Sequence, residues 1–308
     1  MPATLKTLTS ETELYPIRTV ASLTGVNPVT LRAWERRHGL IKPIRTPKGH
    51  RLYTREDVDL IHRILALLDR GIAIGQIRHA LEKPATATKR ATAETTDPWA
   101  GYREEMIAGI ARFDEERLEN IFNEALSLYP TDLVTRRLLL PLLEQLGQRW
   151  ETSEGTVAEE HFFGVYLRNK LGARFHHRAR GNTGPRLMIA CLPGEQHEIG
   201  MLLFALAAHD RGYRLILLGA NTPLAKLPAA VKHAQADALV LSGSMDPEPR
   251  VLEDDLPPLV VAAGVPVFVG GRTSVGYRDT IVRAGAQPLG GDIEQGLKRL
   301  AELFSTSH

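Results

Sequence analysis

From Pro185 onward, short apolar runs alternate with amphipathic stretches, and this alternation restricts the fold more than any other feature of the chain. Strands fit Arg186–Leu192, Arg214–Leu218, Ala238–Leu241, Pro266–Val269 and a short Gln287–Leu289. Helices fit Ile199–Arg211, Pro223–Gln235, Val251–Ala263, Gly276–Ala284 and Asp292–Phe304. Strands that are apolar on both faces and separated by helices form a parallel sheet with helices on either side. Ligands of such sheets bind beyond the C-terminal strand ends, where the strand order reverses.

The rest of the chain reads differently. Between Trp99 and about Arg180 the period is helical, with helices near Tyr102–Ala111, Glu115–Leu128, Thr131–Arg149 and Thr156–Arg178. Their short connections predict a small antiparallel bundle. An Ala/Thr-rich stretch bounded by Pro84 and Pro98 has almost no large apolar side chains and reads as a linker. The expected division is therefore 1–81, a linker over 82–98, a helical bundle over 99–184, and an α/β domain over 185–308. The fold class is multidomain: an N-terminal winged helix-turn-helix, a four-helix bundle and a C-terminal doubly wound, Rossmann-like parallel sheet. No apolar run approaches the ~20 residues needed to cross a bilayer. No basic-then-apolar leader opens the chain, so a soluble cytoplasmic protein with no membrane partner is expected. The single cysteine, Cys191, excludes an intrachain disulfide and a multi-cysteine metal site.

The net charge of +2 conceals a cluster. Between Pro28 and Arg55 lie Arg32, Arg36, Arg37, Lys42, Arg45, Lys48, Arg51 and Arg55, against one acid, Glu35. Such a patch in a balanced chain is the electrostatic footprint of a nucleic-acid surface. Ile17–Leu23 and about Pro28–His38 form two short helices joined through Gly25, the helix-turn-helix arrangement. The second helix is expected to turn Val29, Leu31 and Trp34 inward and Thr30, Arg32, Glu35, Arg36 and Arg37 outward. The following Lys42–Tyr53 stretch, with Pro43, Pro47 and Gly49, reads as a β-ribbon whose tip lies along phosphates.

This region, about Leu14 to Leu81, resembles the DNA-binding domain of the MerR family of bacterial transcription regulators. The resemblance rests on Arg32-Ala33-Trp34-Glu35-Arg36-Arg37-His38-Gly39-Leu40 and on Arg45-Thr46-Pro47-Lys48-Gly49-His50-Arg51-Leu52-Tyr53. It implies a dimeric reader of spaced operator half-sites. The residues expected at DNA are Thr30, Arg32, Arg36, Arg37, Lys42, Arg45, Lys48, His50, Arg51 and Tyr53. Lys42, Arg45, Lys48 and Arg51 suit phosphates, whereas Arg32 and Arg36 are placed for base edges.

A second motif follows the first strand of the sheet: Glu195, His197 and Gly200 in Pro193-Gly194-Glu195-Gln196-His197-Glu198-Ile199-Gly200. A histidine there sits on the binding edge, and Glu195 can accept its second ring N–H, fixing the tautomer and raising the basicity of the other nitrogen. Ser242-Gly243-Ser244 and Gly270-Gly271 follow the third and fourth strands, on the same rim. Together these resemble the cobalamin-binding domain of methionine synthase and related corrinoid proteins, over about Pro185 to Phe304. The resemblance implies His197 as the lower axial ligand of cobalt and a cofactor tail lined by Ser242, Ser244, Gly270 and Gly271. That family usually has Asp at the position of Glu195.

In the bundle, nine residues separate Trp150 from Glu160-His161. An aromatic face can cover an apolar ligand, and a carboxylate with an imidazole can hold polar groups. With its flanking domains, this spacing resembles the CarH/LitR type of regulator. That resemblance implies adenosylcobalamin as chromophore, with Trp150, Glu160 and His161 on its upper face. It also implies a DNA-bound homo-oligomer in the dark, a tetramer, that dissociates when light cleaves the cobalt–carbon bond. In that family a second histidine often follows the tryptophan, whereas this chain has Glu151.

A cobalamin enzyme would need a substrate barrel of ~250 residues beside the sheet, and no such length remains. The alternative within the regulator class is a MerR-like protein that senses cobalamin level, or another small ligand, without responding to light.

Overall fold

The computed structural model describes residues 13–82, 97–152, 155–177 and 181–305. The chain packs as two units, Met1–Glu160 and His161–His308. Most of the 82–98 linker lies outside the described residues.

In the first unit, α1 (Ile17–Thr24) and α2 (Pro28–Ala33) form the helix-turn-helix. Pro28 opens α2 at a position where a missing N–H costs nothing. The Asn27 side chain caps it, accepting from the N–H groups of Val29 (2.8 Å) and Thr30 (2.9 Å). The helix continues as a π-type turn over Trp34–His38. Strands β1 (Tyr15–Pro16), β2 (Ile44–Arg45) and β3 (Arg51–Tyr53) make a small antiparallel sheet in the order β1-β3-β2, which is the wing. A Thr54/Asp57 capping box starts α3 (Arg55–Asp69), and α4 (Ile77–Glu82) follows. Val20, Leu31, Trp34, Tyr53, Ile61 and Ile64 are fully or almost fully buried.

Helices α5 (Pro98–Ile110), α6 (Glu115–Leu128), α7 (Thr131–Val134) and α8 (Leu140–Glu151) carry the helical segment. Leu118, Phe122, Leu138, Leu142 and Leu146 form its interior. Helix α9 (Val157–His177) crosses the division between the units.

The second unit is the predicted α/β layer structure. Strands β4 (Arg186–Cys191), β5 (Arg214–Gly219), β6 (Ala238–Ser242), β7 (Val267–Gly270) and β8 (Gln287–Gly290) are all parallel, in the order β5-β4-β6-β7-β8. Between them run α10 (Ile199–Asp210), α11 (Leu227–Ala234), α12 (Leu256–Ala263), the short α13 (Arg272–Gly276) and α14 (Arg278–Arg283), and finally α15 (Ile293–Ser305). Leu239, Leu241, Val267 and Val269 pack against Leu227, Leu256, Leu259 and Ile281 in one continuous core. The order reverses at β4, because β5 lies on one side of it and β6 on the other. That reversal places the loop after β4 at the switch point.

Candidate functional site

The strand register brings the sequence-distant motifs of the second unit to one edge. Cys191 of β4 is level with Ser242 of β6, and Ser242 is level with Gly270 of β7. Beyond Cys191 the chain turns at Gly194, and the Glu195 side chain folds back into the rim, where the residue is only 4% exposed. Its Oε1 accepts from the backbone N–H of His197 and from His197 Nδ1, each at 2.8 Å. Its Oε2 accepts from the Ser244 N–H (2.5 Å), the Ser244 hydroxyl (2.7 Å) and the Met245 N–H (3.1 Å).

Burial alone would push the Glu195 carboxyl up. The bonds from the His197 ring, the Ser244 and His197 N–H groups and the Ser244 hydroxyl outweigh it and bring the pKa down to about 2. Glu195 is therefore an anion that holds Nδ1 as a donor. His197 itself is 44% exposed at the side chain, so the imidazole stands at the rim rather than in the core. Nε2, made more basic by the Nδ1–H bond to a carboxylate, is the ring atom suited to a metal. The longer Glu in place of Asp reaches the imidazole without difficulty.

The glycines divide by role. A Cβ on Gly200 would meet nothing within 4 Å, so the first turn of α10 leaves open space beside the His197 loop. At Gly271, φ is +88° and a Cβ would lie 2.2 Å from the Gly243 carbonyl oxygen. That glycine is required by the close approach of the loops after β6 and β7 to each other. Gly270 makes only ordinary contact.

In the first unit, Arg36, Arg37, Lys42, Arg45, Lys48 and His50 are exposed, and Arg32 is half-buried. Two expected orientations are corrected. Thr30 is completely buried, its hydroxyl donating to the Leu126 carbonyl at 3.3 Å, whereas Val29 is 59% exposed. The helix is rotated so that Val29, Arg32 and Arg36, at i, i+3 and i+7, share the outward face. Tyr53 is also fully buried, and burial pushes its phenol up to about 12, so it packs the wing rather than lying at its surface.

Arg51 is mostly covered and pairs with Glu35 at 2.5 Å, while Arg45 reaches the same carboxylate at 2.6 Å. Glu35, the one acid of the basic window, thus ties β2 and β3 to the recognition helix. Arg78 was not singled out in the sequence, yet it donates to the His38 (2.9 Å) and Gly39 (3.1 Å) carbonyls and closes the end of that helix.

The bundle residues are only partly described. Trp150 lies on α8, but its side chain and that of Glu151 are outside the described side chains. Glu160 and His161 sit in the first turns of α9, the first half-buried and the second exposed.

The MerR HTH family regulatory protein pattern matches residues 15–83. A pattern described as a B12 binding domain matches residues 102–174, the helical segment. The HTH-type transcriptional repressor CarH of Myxococcus xanthus is 33% identical over 295 residues, 93% of this chain and 98% of CarH. The chain belongs to the CarH/CarA family of HTH-type transcriptional repressors. CarA of the same organism is 30% identical over 88% of this chain and 91% of its own length. Among solved structures, the monomethylamine corrinoid protein of Methanosarcina barkeri aligns with a TM-score of 0.54, covering 66% of this chain and 96% of that one. At 19% identity that likeness shows the fold. This member of the CarH/CarA family is therefore a transcription regulator that joins a MerR-type DNA-binding domain to a B12-binding domain. Among the described residues, no helix is long and apolar enough to cross a membrane.

Proposed function

We propose that this repressor binds adenosylcobalamin with His197 as the lower axial ligand of cobalt, holds its operator as a homo-oligomer in the dark, and releases it in light. The observation that carries the reading is the buried, fully bonded Glu195 anion on His197 Nδ1. A single oriented imidazole would suit a metal whose remaining ligands come with the cofactor. Among the described residues, no group of three or more His, Cys, Asp and Glu side chains gathers to hold a bare ion. Gly200 keeps a side chain out of the space beside the His197 loop, where nothing else stands within 4 Å of its Cβ position. When bound, the cofactor supplies a light-labile cobalt–carbon bond.

The chain's own contribution is positional. Glu195 and Ser244 hold the His197 ring in one tautomer and orientation. Ser242, Ser244, Gly270 and Gly271 supply the rim for the cofactor tail, and Trp150, Glu160 and His161 are assigned to its upper face. Arg36, Arg37, Lys42, Arg45 and Lys48 face operator DNA. A ligand shifts assembly only through different affinities for the assembled and separated states. Joining several winged helices in one particle raises their effective concentration on neighbouring half-sites.

One residue favours a second reading. Glu151 follows Trp150 where a histidine is usual, which suits a regulator that responds to cobalamin without a lasting light product. One experiment separates the two. The full chain, loaded with adenosylcobalamin in the dark, is titrated on operator DNA before and after green light, with particle mass followed alongside. The light-responsive reading predicts a lower mass and loss of DNA after illumination. Unchanged mass and DNA binding, with cofactor bound, would leave the second reading.

A further inference from the structure

The residue after the histidine has a side chain that does none of the work expected at its position. Glu198 is the N-cap of α10, where a carboxylate ordinarily accepts from its own helix's N–H groups, yet it makes no such bond. It turns away instead. Oε1 accepts from the Ala220 N–H at 2.9 Å, beyond the end of β5. Oε2 pairs with Arg168 Nε at 2.9 Å, from the middle of α9. Close approach to β5 is possible because Gly219 lies there with φ +86°; a Cβ on it would stand 2.7 Å from Glu198 Oε1.

The stitching continues along the same loop. Asn221 Oδ1 accepts from the Gly194 N–H at 2.8 Å, and the Asn221 N–H donates to the Glu195 carbonyl at 2.9 Å. The five residues from Gly194 to Glu198 are thus fastened to the loop after β5 at both ends, with His197 between the fastenings. Arg168 adds a link to a different element. It lies seven residues after His161, two helical turns along the same face of α9.

We propose that Glu198 is a positioning residue for His197, and that its ion pair with Arg168 ties the axial-ligand loop to helix α9. The proposal rests on the reading that His197 ligates cobalt. Arg168 is half-exposed, so the pair contributes little to global stability. Its effect is on where the imidazole stands, and hence on how firmly it holds the metal.

The test uses the full chain with hydroxocobalamin as probe, comparing wild type with Arg168→Leu, Glu198→Gln, the double variant and Arg168→Lys. Three quantities are read: the dissociation constant, the fraction of bound cobalamin coordinated by histidine, and the melting midpoint of the cofactor-free chain. Arg168→Leu is expected to weaken binding about tenfold and lower the histidine-coordinated fraction. Glu198→Gln should do at least as much, the double variant no more than Glu198→Gln alone, and Arg168→Lys should recover part of the loss. Melting midpoints of the Arg168 variants should stay within about 2 °C of wild type. Wild-type affinity and coordination in both Arg168→Leu and Glu198→Gln would overturn the brace while leaving cobalamin binding intact. Losses that merely track the melting midpoint would overturn it as well. A wild-type chain that takes up no hydroxocobalamin would sink the underlying reading, and the brace with it.

Discussion

Trp34, on the π-type turn of the recognition helix, donates its indole N–H to the carbonyl oxygen of Leu128 at 2.8 Å. Leu128 is the last residue of α6, where helix carbonyls lack intrahelical partners. Thr30, one turn earlier, does the same for Leu126. Arg136 pairs with Asp69 at 2.8 Å, and the Arg137 guanidinium bonds the Asp69 carbonyl. The recognition helix is thus joined to the helical segment by side chains that satisfy carbonyls of the last turn of α6.

Removing the indole donor should therefore cost stability well outside the DNA-binding domain. Trp34→Phe keeps a large ring but leaves a buried carbonyl without its donor, a loss of about 1–2 kcal/mol. Urea denaturation of the full chain checks this. Exposed Arg36→Ala should stay within about 0.5 kcal/mol of wild type in the same assay.

The two kinds of basic residue should separate in DNA binding. Lys48, exposed at the wing tip, is expected to contact phosphate. Lys48→Ala should weaken cognate and random DNA alike and reduce the slope of log affinity on log salt by about one. Arg36 shares the outward helix face with Val29 and Arg32. Arg36→Ala should cost about 1–3 kcal/mol on cognate DNA and little on random DNA. Fluorescence anisotropy across a salt series, with an operator selected from a random library, reads both. Equal losses on the two DNAs for Arg36→Ala would remove its base-reading role.

Acid should unfold the sheet unit through Glu195. Its carboxyl is held at about 2, below the ordinary 4.5. A pKa lower in the folded than in the unfolded chain stabilises above the unfolded value, and that stability is lost as pH falls from about 4.5 towards 2. The shift corresponds to at most about 3 kcal/mol. Melting of the cofactor-free chain from pH 7 to pH 3 should show this fall. Glu195→Gln should melt lower at pH 7 and show a flatter profile below pH 5. A mutant profile as steep as wild type would place the acid sensitivity elsewhere.

Much of this was legible in the sequence because it depends on local pattern. The strand–helix alternation after Pro185 places all five strands of the sheet to within a residue or so, and Glu115–Leu128 is matched end to end. The Glu195–His197 bond follows from a two-residue spacing, and Ser244 from its place after a strand. What escaped was set by tertiary contact. Nothing in the sequence distinguishes Thr30 from Val29 as the residue that α6 covers. Glu35 reads as a surface acid until the wing folds Arg45 and Arg51 onto it. Arg78 and Arg168 act on residues 40 and 30 positions away, which no spacing rule reaches. The π-type turn at Trp34–His38 likewise leaves no simple periodic signal.

The central claim is that the His197 imidazole bonds cobalt, and nitrogen isotope substitution tests it most directly. The full chain is labelled with 15N, loaded with unlabelled cobalamin, reduced to the cobalt(II) form in the dark, and examined by electron paramagnetic resonance. Coordination by His197 predicts that the axial nitrogen splitting changes from the triplet of 14N to the doublet of 15N, and that His197→Ala abolishes the doublet. A triplet that persists in the labelled protein would show the cofactor's own base still on the metal and contradict the account.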